Sequence, residues 1–200
     1  MRYKPGQKEE MRKKTTDAIT RAFRRRGYAG VGVDALAAEA GVTSGAIYSQ
    51  FGSKDGAFLA ALGAGMDVYL DAIPALQREH GADWLAALAD HYLGAEHRAD
   101  VAGGCTVATL VPDVIRAEAV AVREAFAAKM TRMIDLVAHG LGGPAETRFV
   151  RALAFLATLV GGLNLARAMP TPAAGQAIAD AVKRSALVAA GDVADVADVT

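Results

Sequence analysis

Between Val33 and Asp55 the chain reads VDALAAEAGVTSGAIYSQFGSKD, and its hydrogen-bonding side chains crowd into the second half of that stretch. Thr43, Ser44, Tyr48, Ser49 and Gln50 offer hydroxyl and amide groups, Gly45 and Ala46 leave backbone uncovered, and Lys54 carries an ammonium group. Short polar side chains beside small residues suit close approach of backbone to a large polar ligand. A lysine next to a helix N-terminus can neutralise a phosphate together with the free backbone amides. The chemistry on offer is recognition of a polyanionic surface.

These residues need a scaffold, and the spacing around them supplies one. The pattern predicts two short helices over about 33–40 and 44–50, separated by Gly41-Val42-Thr43. For two such helices to cross tightly, a small residue must face the crossing, the turn must tolerate a positive φ, and apolar anchors must recur at helical spacing. Ala37, Gly41 and the anchors Leu36, Val42, Ile47 and Phe51 meet those demands in order, with Thr43 or Ser44 as cap of the second helix. That is the content of a helix-turn-helix, whose second helix enters the major groove of a duplex by its N-terminal residues. Ahead of the pair, a helix over about 9–26 puts Met11, Thr15, Ala18, Ile19, Ala22 and Phe23 on one face and stops at Gly27. Behind it, Ser53 caps a longer helix with Phe58, Leu62, Met66, Tyr69 and Ile73 inward, which Pro74 should kink or end. Gly56, Gly63 and Gly65 make that helix intrinsically weak, by about 1 kcal/mol each relative to alanine, as expected of a movable part.

The remainder is helical too, because no stretch shows the sustained alternation of a half-buried strand. Helices are predicted over about 83–97, 113–139, 145–168 and 173–190, with Gly103-Gly104 and Pro112 bracketing a short segment around Cys105. The last ten residues, GDVADVADVT, are acidic and repetitive and read as a frayed tail. Hydrophobic residues make up 52% of the 200, enough for a real core without disulfides or structural metal.

Net charge is zero, yet residues 1–54 hold 11 Lys+Arg against 5 Asp+Glu, a surplus of six that the rest of the chain cancels. A basic head on an acidic body fits a polyanion-binding module joined to a part that avoids the polyanion. The apolar run 152–166 falls short of the roughly 20 residues a bilayer span requires, so no membrane partner is expected. The charged start, MRYKPGQKEEMRKK, has no secretory leader pattern, and the lone Cys105 cannot form an internal disulfide; a reducing, cytoplasmic setting follows as an expectation.

On these residues the sequence resembles the tetracycline-repressor (TetR) family. Gly27-Tyr28, Ala40-Gly41-Val42-Thr43, Gly45, Ile47-Tyr48, Phe51 and Ser53-Lys54-Asp55 follow that family's signature with unbroken spacing. Two positions depart from it. The family's usual pair of threonines is Val31-Gly32 here, which removes a hydroxyl cap and a phosphate contact, and its frequent histidine before Phe51 is Gln50. The resemblance implies an all-α protein with an N-terminal three-helix helix-turn-helix DNA-binding domain at 1–54. A C-terminal helical ligand-binding and dimerisation domain would span 55–190, with a flexible tail at 191–200. It implies a homodimer bound to double-stranded, near-palindromic operator DNA, released by a small-molecule effector and repressing transcription. Thr43, Ser44, Gly45, Ala46, Tyr48, Ser49, Gln50 and Lys54 are then the DNA-binding residues.

Effector-binding candidates are Met66, Tyr69, Trp84, His91, Tyr92, Cys105, Phe126, Met130, Met133 and Asn164, since aromatic and thioether groups make an adaptable apolar wall and a few polar atoms orient a ligand. Plain core packing competes with that role at each of them. Phe149, Leu153, Leu156, Val160 and Leu163 form an apolar stripe suited to dimerisation, which a buried helix would share. Cys105 is either an electrophile sensor or packing. An enzyme is disfavoured: His80, His91, His97 and His139 lack a nucleophile elbow, a phosphate-cradling glycine loop or a paired-carboxylate motif. His91 and His97, roughly 240° apart on one helix, should not converge on one metal, so neither metal nor cofactor is expected. A metal-responsive regulator, or a helical interaction module that never touches DNA, remains as an alternative.

Overall fold

The computed structural model describes residues 5–191, and every regular element among them is helical. The ten helices are α1 (Pro5–Arg26), α2 (Val33–Ala40), α3 (Ser44–Phe51), α4 (Lys54–His80), α5 (Trp84–Leu93), α6 (Ala95–Ala99), α7 (Thr106–Arg116), α8 (Val120–Gly140), α9 (Ala145–Arg167) and α10 (Pro172–Ala190), with a single 3-10 turn at Gly81–Asp83. The expected tail falls outside the described residues apart from Gly191.

The described residues form two compact units, one of residues 5–67 and 101–129, the other of 68–100 and 130–191. The helix-turn-helix stretch lies wholly in the first. Its α1 buries Thr15, Ala18, Ile19, Ala22 and Phe23, on the face that the i, i+3, i+4 spacing selects, while Met11 at the end of that stripe is left exposed. Leu36 and Ala37 from α2, Ile47 from α3 and Ala57, Phe58, Ala61, Leu62 and Met66 from α4 are also buried in this unit. Phe23, Tyr28 and Phe58 meet as an aromatic trio, with edge contacts from Phe58 to each of the others at 5.2 Å between centroids. At the end of α1, Arg24 donates from Nε and Nη2 to the buried Thr106 hydroxyl at 2.9 and 2.6 Å and from Nη1 to the Ala102 carbonyl at 3.2 Å.

In the second unit α9 and α10 run antiparallel: Arg151 reaches the Ala190 carbonyl, Gly162 faces Val182 and Gly175 faces the Ala166 carbonyl. A Cβ on Gly162 would lie 2.2 Å from Val182 Cγ1, so the two helices approach as closely as glycine permits. The buried face of α9 consists of Ala152, Phe155, Leu156, Leu159, Gly162, Leu163 and Ala166. By length and composition α9, like the stretch Lys54–Ala99, is long and apolar enough to cross a membrane, which corrects the expectation drawn from the shorter run 152–166; one face of α9 packs against α10 and α5.

Several boundaries differ from the sequence expectation. Pro5 at the first position fits a helix start, so α1 gains a turn ahead of Glu9. Pro74 lies inside α4 rather than ending it, with Leu70 and Ile73 buried beside it. The helix expected over 83–97 breaks at Gly94, whose extended backbone (φ −59°, ψ 153°) separates α5 from α6. Pro112 sits within α7, and Asp113 belongs to that helix; α8 starts at Val120, after an extended Ala117.

Candidate nucleic-acid interface

The turn between α2 and α3 depends on Gly41, held at φ +67°, ψ +31° with its amide donating to the Ala38 carbonyl at 3.2 Å. A side chain there would be strained in the left-handed region. Val42 follows with its amide on the Ala37 carbonyl at 2.9 Å, and Thr43 turns extended to start α3. Thr43, rather than Ser44, is the cap: its Oγ1 accepts from the Ala46 amide at 3.2 Å. The Ser44 hydroxyl instead donates to Asp34 at 2.5 Å, tying α3 to the first turn of α2. Gly32 precedes α2 without any side-chain cap, and Val31 is buried, so the missing threonine pair leaves this helix start to backbone alone.

Ile47 is fully buried and fixes the rotation of α3. The opposite face then presents Gly45, Tyr48 and Ser49 outward, with Tyr48 52% exposed. Ala46 and Gln50 are half-buried, and the Gln50 amide donates to the Arg12 carbonyl of α1 at 3.2 Å.

At the start of α4, Ser53 Oγ accepts from the Gly56 amide at 3.0 Å, which is the predicted cap. Lys54 holds its ammonium 4.1 Å from the centre of the Tyr28 ring, a cation–π contact. The Tyr28 hydroxyl donates to Asp55, and that bond, aided by burial, pushes the phenol up to about 12. Tyr28 therefore stays neutral in ordinary solution, and the Asp55 carboxylate sits in the first turn of α4, where a helix N-terminus favours negative charge.

All eight DNA-contact candidates thus fall on α3 or its flanks. Thr43, Gly45, Tyr48 and Ser49 are exposed, while Ser44, Gln50 and Lys54 already hold intrachain partners. The sequence reading overlooked α1. Its first turns border α3 across a cleft of about 550 Å³ lined by Lys8, Glu9, Met11, Arg12, Ala46, Ser49 and Gln50.

The effector candidates divide between the units. Met66, Cys105 and Phe126 belong to the first; Tyr69, Trp84, His91, Tyr92, Met130, Met133 and Asn164 belong to the second. Cys105 is buried at the start of α7 with its carbonyl accepting from the Thr109 amide and hydroxyl, an arrangement that suits packing. In the second unit Tyr69, His91 and Tyr92 meet around His97. The Tyr92 carbonyl lies 2.5 Å from His97 Nδ1 and the Tyr69 hydroxyl 3.2 Å from Nε2. A ring nitrogen facing a carbonyl must donate, so the neutral ring accepts at Nε2 from Tyr69. Burial first, then the nearby Arg167 and His91 charges, hold His97 below its ordinary value, against the opposing pull of the Tyr92 carbonyl. The break at Gly94 stacks the His91 and His97 rings with centroids 5.8 Å apart, which corrects the expectation that they diverge on one helix. Among the described residues no three His, Cys, Asp or Glu side chains are grouped to hold a metal. Asn164 and His91 are exposed, Met133 is buried, and Trp84 lines a separate cleft of about 740 Å³ with Gln77, Leu85, His139, Leu141 and Arg151.

The expected dimerisation stripe mixes two faces of α9. Leu156 and Leu163 point into the core, whereas Phe149 and Leu153 are 45% and 41% exposed and Val160 is half-buried. The outward apolar row also includes Val150 and Leu165.

Comparison with known proteins agrees with this architecture. Residues 16–61 match the family model described as bacterial regulatory proteins, tetR family. No curated protein matches the chain. Among solved structures, a TetR-family transcriptional regulator from Cytophaga hutchinsonii superposes with a TM-score of 0.77 at 15% identity, covering 93% of this chain and 98% of its own. The TetR-family regulator SCO4454 from Streptomyces coelicolor gives 0.74 at 21% identity, covering 94% and 97%. The transcriptional regulator FadR from Bacillus subtilis, solved in complex with stearoyl-CoA, gives 0.62 at 13% identity, covering 86% and 97%.

Proposed function

We propose that the chain is a member of the tetR family of bacterial regulatory proteins, whose model matches residues 16–61, and that it is a sequence-specific repressor which a small molecule releases from a near-palindromic operator. The observation that carries this reading is the α2–α3 pair. Gly41 sets the turn, buried Ile47 sets the rotation, and Gly45, Tyr48 and Ser49 are left facing outward from a segment, residues 1–54, with a positive surplus. A duplex received on that face takes α3 in its major groove, with Thr43, Ser44, Gly45, Ala46, Tyr48, Ser49 and Gln50 nearest the base edges and Lys54 on a flanking phosphate.

Two copies paired through the outward row of α9, Phe149, Leu153 and Val160, would present their α3 helices about 34–36 Å apart, one turn of the duplex. The effector reading draws support from the structural neighbour that holds stearoyl-CoA. In this chain α4 and α8 each contribute to both compact units, so they are the covalent routes by which an effector bound near Tyr69, Tyr92, Met130 or Met133 would alter the DNA-binding helices. A coupling of about 1–3 kcal/mol lowers operator occupancy 5- to 150-fold. Buried Cys105 favours this reading over electrophile sensing.

Selection of bound duplexes from a random pool tests the proposal. The expected product is a motif with two-fold symmetry and half-sites centred about one helical turn apart. Recovery of sequences no different from the input pool would refute it.

A further inference from the structure

We infer that the second compact unit carries a ligand site apart from the one proposed around Tyr69 and Tyr92: the cleft of about 740 Å³ beside Trp84, which takes a small carboxylic acid bearing a hydroxyl or amino donor on an apolar body. This site does not depend on DNA binding. Every lining residue falls within 68–100 or 130–191, so the cleft belongs to one unit, and Tyr69, Tyr92, Met130 and Met133 do not line it. Along α4 its member Gln77 lies eight residues beyond Tyr69, about 12 Å of helix.

Arg151 supplies the partner for an anion. Its Nε and Nη2 donate to the Ala190 carbonyl, and Nη1 donates to the Gly142 carbonyl at 2.8 Å. These bonds use three of the five N–H donors of a guanidinium, which holds the group still and leaves two donors and the charge for another partner. None of the ion pairs among the described residues involves Arg151, and none of the described residues lining the cleft is an Asp or a Glu. Because Arg151 is half-buried, an anion beside it is attracted more strongly than in open water. Glycine keeps the guanidinium uncovered: a Cβ on Gly143 would lie 3.1 Å from Nη1, and one on Gly191 would lie 2.6 Å from Nη2. A carboxylate is the planar, two-oxygen anion that suits such a fork.

The other lining groups set the rest of the ligand. Trp84, Leu85, Leu141 and Ala190 are buried and form an apolar floor. Gln77 spends its amide donor on the Leu136 carbonyl at 3.0 Å, so its own side-chain carbonyl remains to accept. His139 places Nδ1 2.7 Å from the Asp135 carbonyl; that nitrogen must donate, and in the neutral ring Nε2 accepts. One cation and two acceptors above an apolar floor match an acid that also carries a donor. The cleft draws on α4, α5, α8, α9 and α10, so an occupant ties these five helices together.

The test titrates the full chain with 4-hydroxybenzoate, benzoate and 4-hydroxybenzamide, read by calorimetry and by tryptophan emission. Trp84 is the only tryptophan in the chain and lines the cleft, so its emission reports where a ligand binds. 4-Hydroxybenzoate should bind with a Kd of about 1 mM or tighter, change the Trp84 emission and raise the melting temperature. The uncharged amide should bind about 10-fold more weakly for want of the charged hydrogen bonds, and benzoate about 3-fold more weakly for want of a donor. Arg151→Met should bring the acid and the amide to similar affinity. Should that variant fail to fold, the three ligands compared on the wild-type chain still decide the matter. No binding of 4-hydroxybenzoate at about 10 mM overturns the inference, as does binding that leaves the Trp84 emission unchanged. An amide that binds as tightly as the acid, or a folded Arg151→Met protein that keeps the preference for the acid, removes the anion partner and overturns it too. Benzoate binding as tightly as 4-hydroxybenzoate overturns the assignment of a donor-bearing ligand.

Discussion

Gly63 and Gly65, two positions apart in α4, should respond to the same substitution with opposite sign. A Cβ on Gly63 would meet only Lys129 Cε, at 3.4 Å, which is ordinary contact with the far end of a flexible side chain. Gly63→Ala should therefore show the helix-propensity gain alone, about 1 kcal/mol of added stability. A Cβ on Gly65 would lie 1.8 Å from Thr106 Oγ1 and 2.8 Å from both Thr106 Cβ and Arg24 Nη2. Thr106 is fully buried and cannot swing into solvent, so the clash must push the hydroxyl off the Arg24 guanidinium or shift α7. Overpacking of this kind costs about 1–3 kcal/mol. The charged hydrogen bonds add about 1.5 kcal/mol, taken at the low end because Arg24 is only half-buried. Set against the propensity gain, Gly65→Ala should lose about 2 kcal/mol, so the two variants should differ by about 3. Thermal unfolding at one fixed protein concentration reads this as a rise of about 2–4 °C for Gly63→Ala and a fall of about 4–8 °C for Gly65→Ala. Urea midpoints with unchanged m-values would confirm that stability, and not compactness, has moved. A Gly65→Ala protein as stable as wild type would refute the reasoning, as would a Gly63→Ala protein that is the weaker of the pair.

Two more outcomes concern the second unit. His97 is held neutral in the folded state, with its proton affinity below the unfolded value of about 6.5. Its contribution is whole above that pH and is lost as pH falls through the depressed folded value, because the unfolded chain takes up a proton that the folded one refuses. Melting temperature against pH should thus decline more steeply below about 6.5 for wild type than for His97→Gln; superimposable profiles would refute the assignment. On α9, Phe149→Arg with Leu153→Arg should give a folded monomer by sedimentation with weakened operator binding, since both side chains are outward-facing. A double variant that still sediments as a dimer would exclude this row from the interface.

What could be read from sequence tracks the range of the interactions involved. The α2–α3 turn is set by Gly41, Thr43 and Ile47, residues that act on neighbours within a few positions, so their types announce their roles. Ser53 capping α4 is legible for the same reason. The α5–α6 break was hidden because the 83–97 pattern stays apolar at helical spacing through Gly94, and an isolated glycine inside such a pattern is usually tolerated. Pro112 marked a boundary in sequence but is carried inside α7, where Leu110 and Val114 are buried on either side. The stripe on α9 misled because the helix is apolar on both faces, and a row at i, i+3, i+4 can be drawn on either; Leu163 and Leu153 are separated only by what packs against them. The cleft that α1 shares with α3 has no local mark either, because its two walls lie more than 30 residues apart in the chain and only the folded structure brings them together.

The first compact unit is discontinuous, since residues 101–129 return to complete what 1–67 begin, and Arg24 meets Thr106 across that gap. A ribosome adding about 5–20 residues per second therefore releases α1 to α3 well before their neighbours in α7 exist. Until then Arg24 lacks both the Thr106 hydroxyl and the Ala102 carbonyl to which it donates. A fragment ended near residue 67 would keep the whole α2–α3 pair while lacking part of the support beneath it.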